Sequence, residues 1–564
     1  MPGPLPGPRP GPMLTAALSA LALVLTACGA GAGTGEVRTG AALSAVPAFN
    51  EQPYENVRDG GTVTLPLRSD LNPQFNRHQG DATLDTLTVW RWYNPVLVTF
   101  TPQGEPRFNP DYLVSAVDER IGDDTRITYT INPRAEFNDG TPIDWRAFEA
   151  TWRARNGRDA AYIAQSTDGF DRIASVTRGA DDRQVVVTFD GVHTWWPGLF
   201  TELVHPAAAA DPAVFNQGYL NEPHPEWGAG PYTVAAHDRQ NSTITFERNP
   251  AWWGRPGKLD RVTLIQMEPT AKINAFRNGQ LDATEAESAD LLAQARSAPG
   301  ADVRISARTA SFLLTVNSAA PLLGDPGVRR AIMQGVDRGQ LVDIAFQGMN
   351  YTEEPLGSLM LKPYQEGYRD NLSAVVDGGP EAAAAGLDAL GWVPGPDGIR
   401  VQDGTPLSIT FVQVGDTPAT RAATGALVAM MRAIGVELQV RQVPAGDFPA
   451  VLANKEFDLL LSGFFSLDPY GIAGICQLYC STSQLNNSGT GTPELDAQLQ
   501  RVATLATPAE QFAAANAAEE QALAGYGLLP LYAGPETWVT RPDLANVGAS
   551  LFQRPLPETI GWTG

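Results

Sequence analysis

Gly228-Ala229-Gly230-Pro231-Tyr232, followed by Phe246-Glu247-Arg248-Asn249-Pro250 and Trp252-Trp253-Gly254, is the stretch whose reading decides the fold. Gly230 suits a turn of positive φ. Thr243-Ile244-Thr245-Phe246 reads as a strand. It runs into Arg248-Asn249-Pro250, a turn stapled by Trp252 and Trp253. Buried aromatics mostly fill cores, so the segment reads as scaffold and not as ligand contact.

Strand-like runs lie on both sides of it. Upstream are Thr62-Val63-Thr64-Leu65-Pro66-Leu67, entered from Asp59-Gly60-Gly61, then Arg126 to Ile131 and Val185 to Phe189. Downstream are Val262 to Ile265, Phe312 to Val316, Leu407 to Val412, Val436 to Val440 and Phe457 to Leu461. Helices fall between them. Asp144 caps a segment in which Phe148 and Trp152 share one face at i, i+4. Asp325-Pro326 starts another, with Pro in the first turn. Ala382 to Leu390 and Ala419 to Ile434 are helical by propensity. Strands and helices alternate from about Asp325 onward, which predicts an α/β lobe. No linker rich in Pro or Gly separates two halves, so the chain is expected to cross between lobes more than once.

Six segments in order resemble the family 5 solute-binding proteins of peptide-type and nickel-type ABC importers. The first is Ala135-Glu136-Phe137-Asn138-Asp139-Gly140-Thr141-Pro142, with its helix ending near Trp152. The second is the stretch quoted at the outset. The third is Asn317, then Asp325 through Val328-Arg329-Arg330-Ala331-Ile332 to Val336-Asp337-Arg338. The fourth is Gly391-Trp392 with Asp397-Gly398-Ile399-Arg400 and Gly404, and the fifth is Ile434-Gly435-Val436 with Phe457-Asp458. The last is Asp468-Pro469, Asn487 and Glu494-Leu495-Asp496. Together they cover almost everything from Gly60 to Gly564.

The resemblance implies an α/β, two-lobed periplasmic-binding-protein-like (type II) fold with an extra subdomain in the first lobe. Its expected limits are 59–321 for lobe I, with the subdomain at about 90–221. Lobe II is expected at 322–529, and 530–564 returns to lobe I. The lobes would close on a ligand as a hinge, and the closed form would dock on an ABC permease and ATPase complex. Cleft contacts in such proteins place the ligand candidates here at Asn76, Arg77, Trp90, Trp92, Tyr93, Phe464, Phe465, Asp468 and Tyr470. Trp90 and Trp92, alternating on one strand face, suit either the cleft or the core. Asp468 either meets a ligand amine or begins the Asp-Pro turn, and the turn is preferred. The ligand class implied is a peptide-like or similar mid-sized organic solute. The alternative is a cell-envelope regulator or glycolipid-binding protein on the same fold, without transport.

The N-terminus adds an address. Met13 to Ala27 carries no charge and is too short for a membrane span, which needs ~20 apolar residues. It fits an export signal, residues 1–27. Leu25-Thr26-Ala27-Cys28 looks like a bacterial lipobox, which makes Cys28 the expected lipidated residue and anchor to the outer face of the cell membrane. Residues 28–58 read as a flexible tether, opening on a Gly, Ala and Thr run. Of the three cysteines, Cys476 and Cys480 remain, four apart. In an extracytoplasmic protein they read as a small disulfide, with free thiols as the alternative.

Composition sets the remaining limits. With 564 residues, one simple core does not suffice. A formal net charge of −22 disfavours nucleic acid and anionic lipid surfaces. The five histidines, His78, His193, His205, His224 and His237, form no i, i+4 pair, so no metal site is expected. No Gly-x-Ser-x-Gly elbow or His-Glu-x-x-His helix occurs, so no catalytic residue and no cofactor are assigned. The expected state is a non-enzymatic monomer.

Overall fold

The computed structural model describes residues 46–67, 74–349, 351–444, 447–465, 469–472, 474–483 and 485–564. Cys28 and Asp468 lie outside these residues, and so does the signal segment.

The first strand, Thr62–Leu67, pairs in parallel with Arg261–Gln266. Thr243–Arg248 and Tyr232–Asp238 follow as antiparallel neighbours and complete a four-stranded sheet. Its core contains Val63, Leu65, Trp92, Tyr232, Phe246, Val262 and Leu264, and it also draws on Leu544, Ile560 and Trp562 from the end of the chain. Trp562 Nε1 donates to Thr62 O at 3.0 Å. Further in, bridges Ala48 to Ala549 and Val57 to Thr563 bind the first described residues to the last. This lobe is therefore closed by both ends of the described chain, and residues 46–58, expected as the end of the flexible tether, are part of it, with Phe49 and Val57 buried.

The inserted subdomain is an antiparallel sheet in the order Leu113–Ile121, Asp124–Ile131, Gln184–Phe189 and Ile173–Arg178. Burial alternates residue by residue along Asp124–Ile131, as period-2 patterning demands of a sheet with one covered face. The cover is the helix Trp145–Arg155, whose first free amide is met by the Asp144 side chain at 2.8 Å. Phe148 from this helix joins Ile127, Tyr129, Val185 and Val187 in a separate apolar core.

The second lobe holds a five-stranded sheet in the order Glu437–Val443, Ser408–Val414, Leu459–Phe465, Ala310–Val316 and Leu528–Tyr532. The first three run parallel, and the last two are antiparallel additions. The helix Pro418–Ala433 makes the crossover between parallel neighbours. It is capped by Thr417 and buries Leu427, Met430 and Met431 against the sheet. Parallel pairing requires such a connection.

The chain enters the second lobe earlier than position 322. Ala310–Val316 already belongs to the five-stranded sheet, while Asp302–Ala307 pairs with Pro535–Thr540 in the first lobe's three-stranded sheet. The resemblance implied a boundary at 322, just ahead of the Asp325 helix start. The strand before it carries no mark of a change of sheet.

The opening motif is a three-way tie. Asn249 Nδ2 donates to Gly230 O and to Asn138 Oδ1, both at 2.8 Å. Trp252 and Trp253 lie 4.5 Å apart, each ring 5.4 Å from Tyr112. Gly140, in the first of the six segments, has a positive φ of 86°. Gly230 does not: it is Gly for want of space, since a Cβ there would stand 2.8 Å from the Tyr93 carbonyl carbon.

Candidate functional site

Two neighbouring chain segments carry the backbone between the lobes. One is Arg308-Thr309, between Asp302–Ala307 and Ala310–Val316. The other is Ala533-Gly534, between Leu528–Tyr532 and Pro535–Thr540. The Arg308 amide donates to Gly534 O at 2.9 Å. The Glu353 carboxylate accepts from the Ala533 amide at 2.6 Å and the Gly534 amide at 3.1 Å, and the Tyr351 hydroxyl donates to it at 2.5 Å. Burial pushes the Glu353 carboxyl above its ordinary range, against the pull of these hydrogen bonds. A few loop residues joining two sheets make a hinge.

Opposite the hinge, the subdomain faces the second lobe. The Thr194 hydroxyl and the Gln511 amide group bond each other at 2.6 and 2.9 Å. Gln477 Nε2 donates to Asp168 Oδ2 at 2.5 Å. Phe100 and Tyr470 meet edge to face, centroids 5.9 Å apart. Pro469 presses on Gly104, where any Cβ would collide with it. Trp195 packs on the second lobe's core. The lobes thus touch at the hinge and at this far edge.

The cleft between carries a partly open cavity with about 20 Å³ of room, that of one water. Leu359, Met360, Lys362, Gln365, Phe464, Gly471, Gly474, Ile475, Leu478 and Tyr479 line it from the second lobe, and Phe552 from the first. The walls are aromatic and aliphatic with few polar groups, the lining that organic-ligand sites present, in a space far smaller than the ~300–1,000 Å³ of such a site.

Only part of the residue set expected from sequence lies here. Phe464 lines the cavity and Tyr470 stands at the cleft edge. Phe465 ends the strand Leu459–Phe465 at its cleft end. Trp90, Trp92 and Tyr93 are in a helix, Leu84–Tyr93, and not on a strand. A capping box between Thr83 and Thr86 starts that helix, and it turns all three rings into the core. Trp92 stacks near Phe246, and the Tyr93 hydroxyl donates to Pro223 O at 2.7 Å. Asn76 is fully buried, bonding Phe215 O at 3.0 Å and the His78 amide at 3.0 Å. Arg77 is paired with Glu202. These five residues therefore build the first lobe's wall and do not line the cavity.

Cys476 and Cys480 are joined, with Cα atoms 4.7 Å apart, across the short helix Ile475–Tyr479. That helix supplies both cavity wall and Gln477. The histidines are dispersed. His78 is an edge contact of Trp90, His193 stacks on Phe189, and His237 meets Phe75. His205 sits beside Asp139 and His224 beside Glu226. Burial holds His78 well below its ordinary value, with Arg77 and Arg155 adding to the effect. Among the described residues no group of three or more His, Cys, Asp or Glu is placed to hold a metal. No helix among them is long and apolar enough to cross a membrane.

Sequence reasoning missed Thr194, Asp168, Gln477 and Gln511, and it missed Glu353 and Lys362. All belong to loops or to polar helix faces without a periodic signature. The adjacent aromatic pair Trp195-Trp196, which the sequence reading did not use, lies beside Thr194.

Comparison with known proteins agrees with this geometry. Residues 113–486 match the family model described as bacterial extracellular solute-binding proteins, family 5 Middle. The chain is 33% identical over 542 residues to the oligopeptide-binding protein OppA of Mycobacterium tuberculosis, covering 94% of this chain and 90% of that one. Its fold is similar to that of the periplasmic EDTA-binding protein EppA, with a TM-score of 0.83, 23% identity and coverage of 93% and 99%. Lactococcal OppA, complexed with an endogenous peptide in the closed conformation, gives 0.72 at 16% identity, covering 89% and 100%. Two hinged lobes around an apolar cleft, a match across about two thirds of the length and a relative spanning nearly all of it lead to one conclusion. The chain belongs to the family 5 bacterial extracellular solute-binding proteins, which are receptors and not enzymes.

Proposed function

We propose that this chain is the extracytoplasmic receptor of an ABC importer, capturing a short peptide or similar mid-sized organic solute and delivering it to a permease and ATPase complex. The observation that carries this reading is the pairing of a hinge at Arg308 and Gly534 with an apolar cavity whose walls come from both lobes. The kinship with the oligopeptide-binding OppA supports the solute class. The receptor works as a monomer held to the outer face of the membrane by lipid on Cys28.

The test is native mass spectrometry of protein purified from its own host. Co-purified peptides of a few residues are expected. A glycolipid in their place, or a solute released chemically altered, would overturn the reading. Cys28→Ser is expected to release the protein into the medium, and retention on the membrane would contradict the anchor.

A further inference from the structure

The short helix Ile475–Tyr479 serves two surfaces at once. Ile475, Leu478 and Tyr479 line the cavity, and Gln477 reaches across to Asp168 Oδ2 in the subdomain at 2.5 Å. The helix has five residues and no side-chain cap at Gly474. A single turn of that kind does not hold itself in water. From Gln477 onward it is anchored in the second lobe. The Ser483 hydroxyl donates to Gln477 O at 2.6 Å. Asn486 Nδ2 donates to Tyr479 O and Cys480 O at 3.3 and 3.2 Å, and the Tyr479 hydroxyl donates to Glu519 at 3.0 Å. The disulfide from Cys476 to Cys480 ties the uncapped start of the turn to this anchored end.

The bond spans four residues. Closing so short a loop restricts the unfolded chain least, so its effect on global stability is small. Its effect on the turn is direct, because it winds the segment that aims Gln477 at Asp168. The two sulfurs also differ in access. Cys480 is 1% exposed, whereas Cys476 is only partly buried and is the one that an incoming thiolate can reach.

We propose that the Cys476–Cys480 bond is a redox switch on solute retention, opened by an extracytoplasmic dithiol protein of the Cys-X-X-Cys kind. One thiolate of the dithiol attacks Cys476 Sγ. The bond between the two cysteines breaks, and Cys480 leaves as a thiolate that takes up a proton. The second thiol of the dithiol then attacks the mixed disulfide and releases Cys476 as a thiol. The dithiol ends as a disulfide, and the receptor has gained two electrons and two protons. The untied turn lets Gln477 leave Asp168 and loosens the cavity wall. This rests on the solute-receptor reading above and adds a means of release to it.

The test compares the whole chain oxidised and after dithiothreitol. Tri- and tetra-alanine are titrated calorimetrically into both forms. Protein purified from its own host is weighed by native mass spectrometry before and after reduction. The oxidised form is expected to bind the peptides about tenfold tighter, one hydrogen bond to a charged group being worth that much. Cys476→Ser combined with Cys480→Ser should bind like the reduced form and ignore dithiothreitol. Gln477→Ala should bind weakly when oxidised and change no further on reduction. By reciprocity, saturating tri-alanine should lower the reduction potential of the bond by about 30 mV, the equivalent of tenfold. A bond with a purely structural role would not move in that titration. Equal affinity of the two forms, a potential indifferent to bound tri-alanine, or a host solute retained through reduction overturns the proposal. If the host solute is not a peptide and no alanine peptide binds, the peptide reading falls and the switch is judged alone. Loss of that bound mass on reduction then upholds it. If the protein arrives empty and binds no peptide, hydrogen exchange decides. Amides of Ile475–Tyr479 that exchange at least about tenfold faster after reduction uphold the switch, and equal exchange overturns it.

Discussion

The Arg308 amide and the Gly534 carbonyl lie 2.9 Å apart, and their bond joins the two chain segments at the point where both leave one sheet for another. Every motion of one lobe against the other has to pass through this pair. Glu353 holds the same point from the side by taking the Ala533 and Gly534 amides.

Glu353→Ala is therefore expected to leave two buried amides unpaired, at a cost of about 3 kcal/mol. Glu353→Gln retains one acceptor oxygen and loses less. Urea unfolding monitored by tryptophan fluorescence checks both, and a midpoint unchanged in Glu353→Ala would contradict the clasp.

The far edge of the cleft gives a second expectation. Thr194→Val keeps the shape of the side chain and removes its bond to Gln511. The closed state is expected to lose about 1 kcal/mol, which lowers solute affinity about fivefold. Small-angle scattering of the variant should show a larger radius of gyration. Identical scattering and affinity would mean that the pair does not contribute to closure.

Glu558 gives a pH prediction. It is almost fully buried in the first lobe, and one of its oxygens has no hydrogen-bond partner among the described residues. Burial pushes its carboxyl from 4.5 up to about 7. Between those values the folded chain holds a proton that the unfolded chain has released. The stability contributed is thus complete below pH 4.5 and is lost as pH rises through about 7. Glu558→Gln should match the wild type in acid and exceed it by up to about 3 kcal/mol at about pH 8. Parallel curves of melting temperature against pH for the two proteins would refute this.

Gly230→Ala tests the motif that opened the sequence reading. The added methyl would meet the Tyr93 backbone at 2.8 and 3.0 Å, and a backbone at a helix end has little room to give. A loss of about 1–3 kcal/mol is expected. Gly140→Ala, with nothing near its Cβ direction, would suffer only from its positive φ. Equal melting temperatures for Gly230→Ala and the wild type would show that the contact is relieved cheaply.

The contrast between these glycines shows how much was legible in the chain. Local signals were readable because their physics is local. Asp144 and Asp325 cap the helices expected of them, and Thr243 to Phe246 is a strand. Resemblance carried the lobes. Trp90 and Trp92 misled because i, i+2 spacing looks like a strand face, and the Thr83 and Thr86 capping pair outweighs it. Asn249 bonding Asn138 across 111 residues left no trace in spacing. Glu353 and Lys362 sit in a long irregular connection, where no period exists to tell a buried charge from a solvated one.

Because residues 48 and 57 bridge to 549 and 563, the amino-terminal body is unfinished until the final residues arrive. The five-stranded sheet is complete once Tyr532 has emerged. In a polypeptide threaded outward from its front end, the jaw encoded in the middle can assemble while the one encoded first still waits for its last strand. Cutting away the final dozen residues would accordingly spoil the half of the molecule that begins the sequence and spare the half nearer the cut.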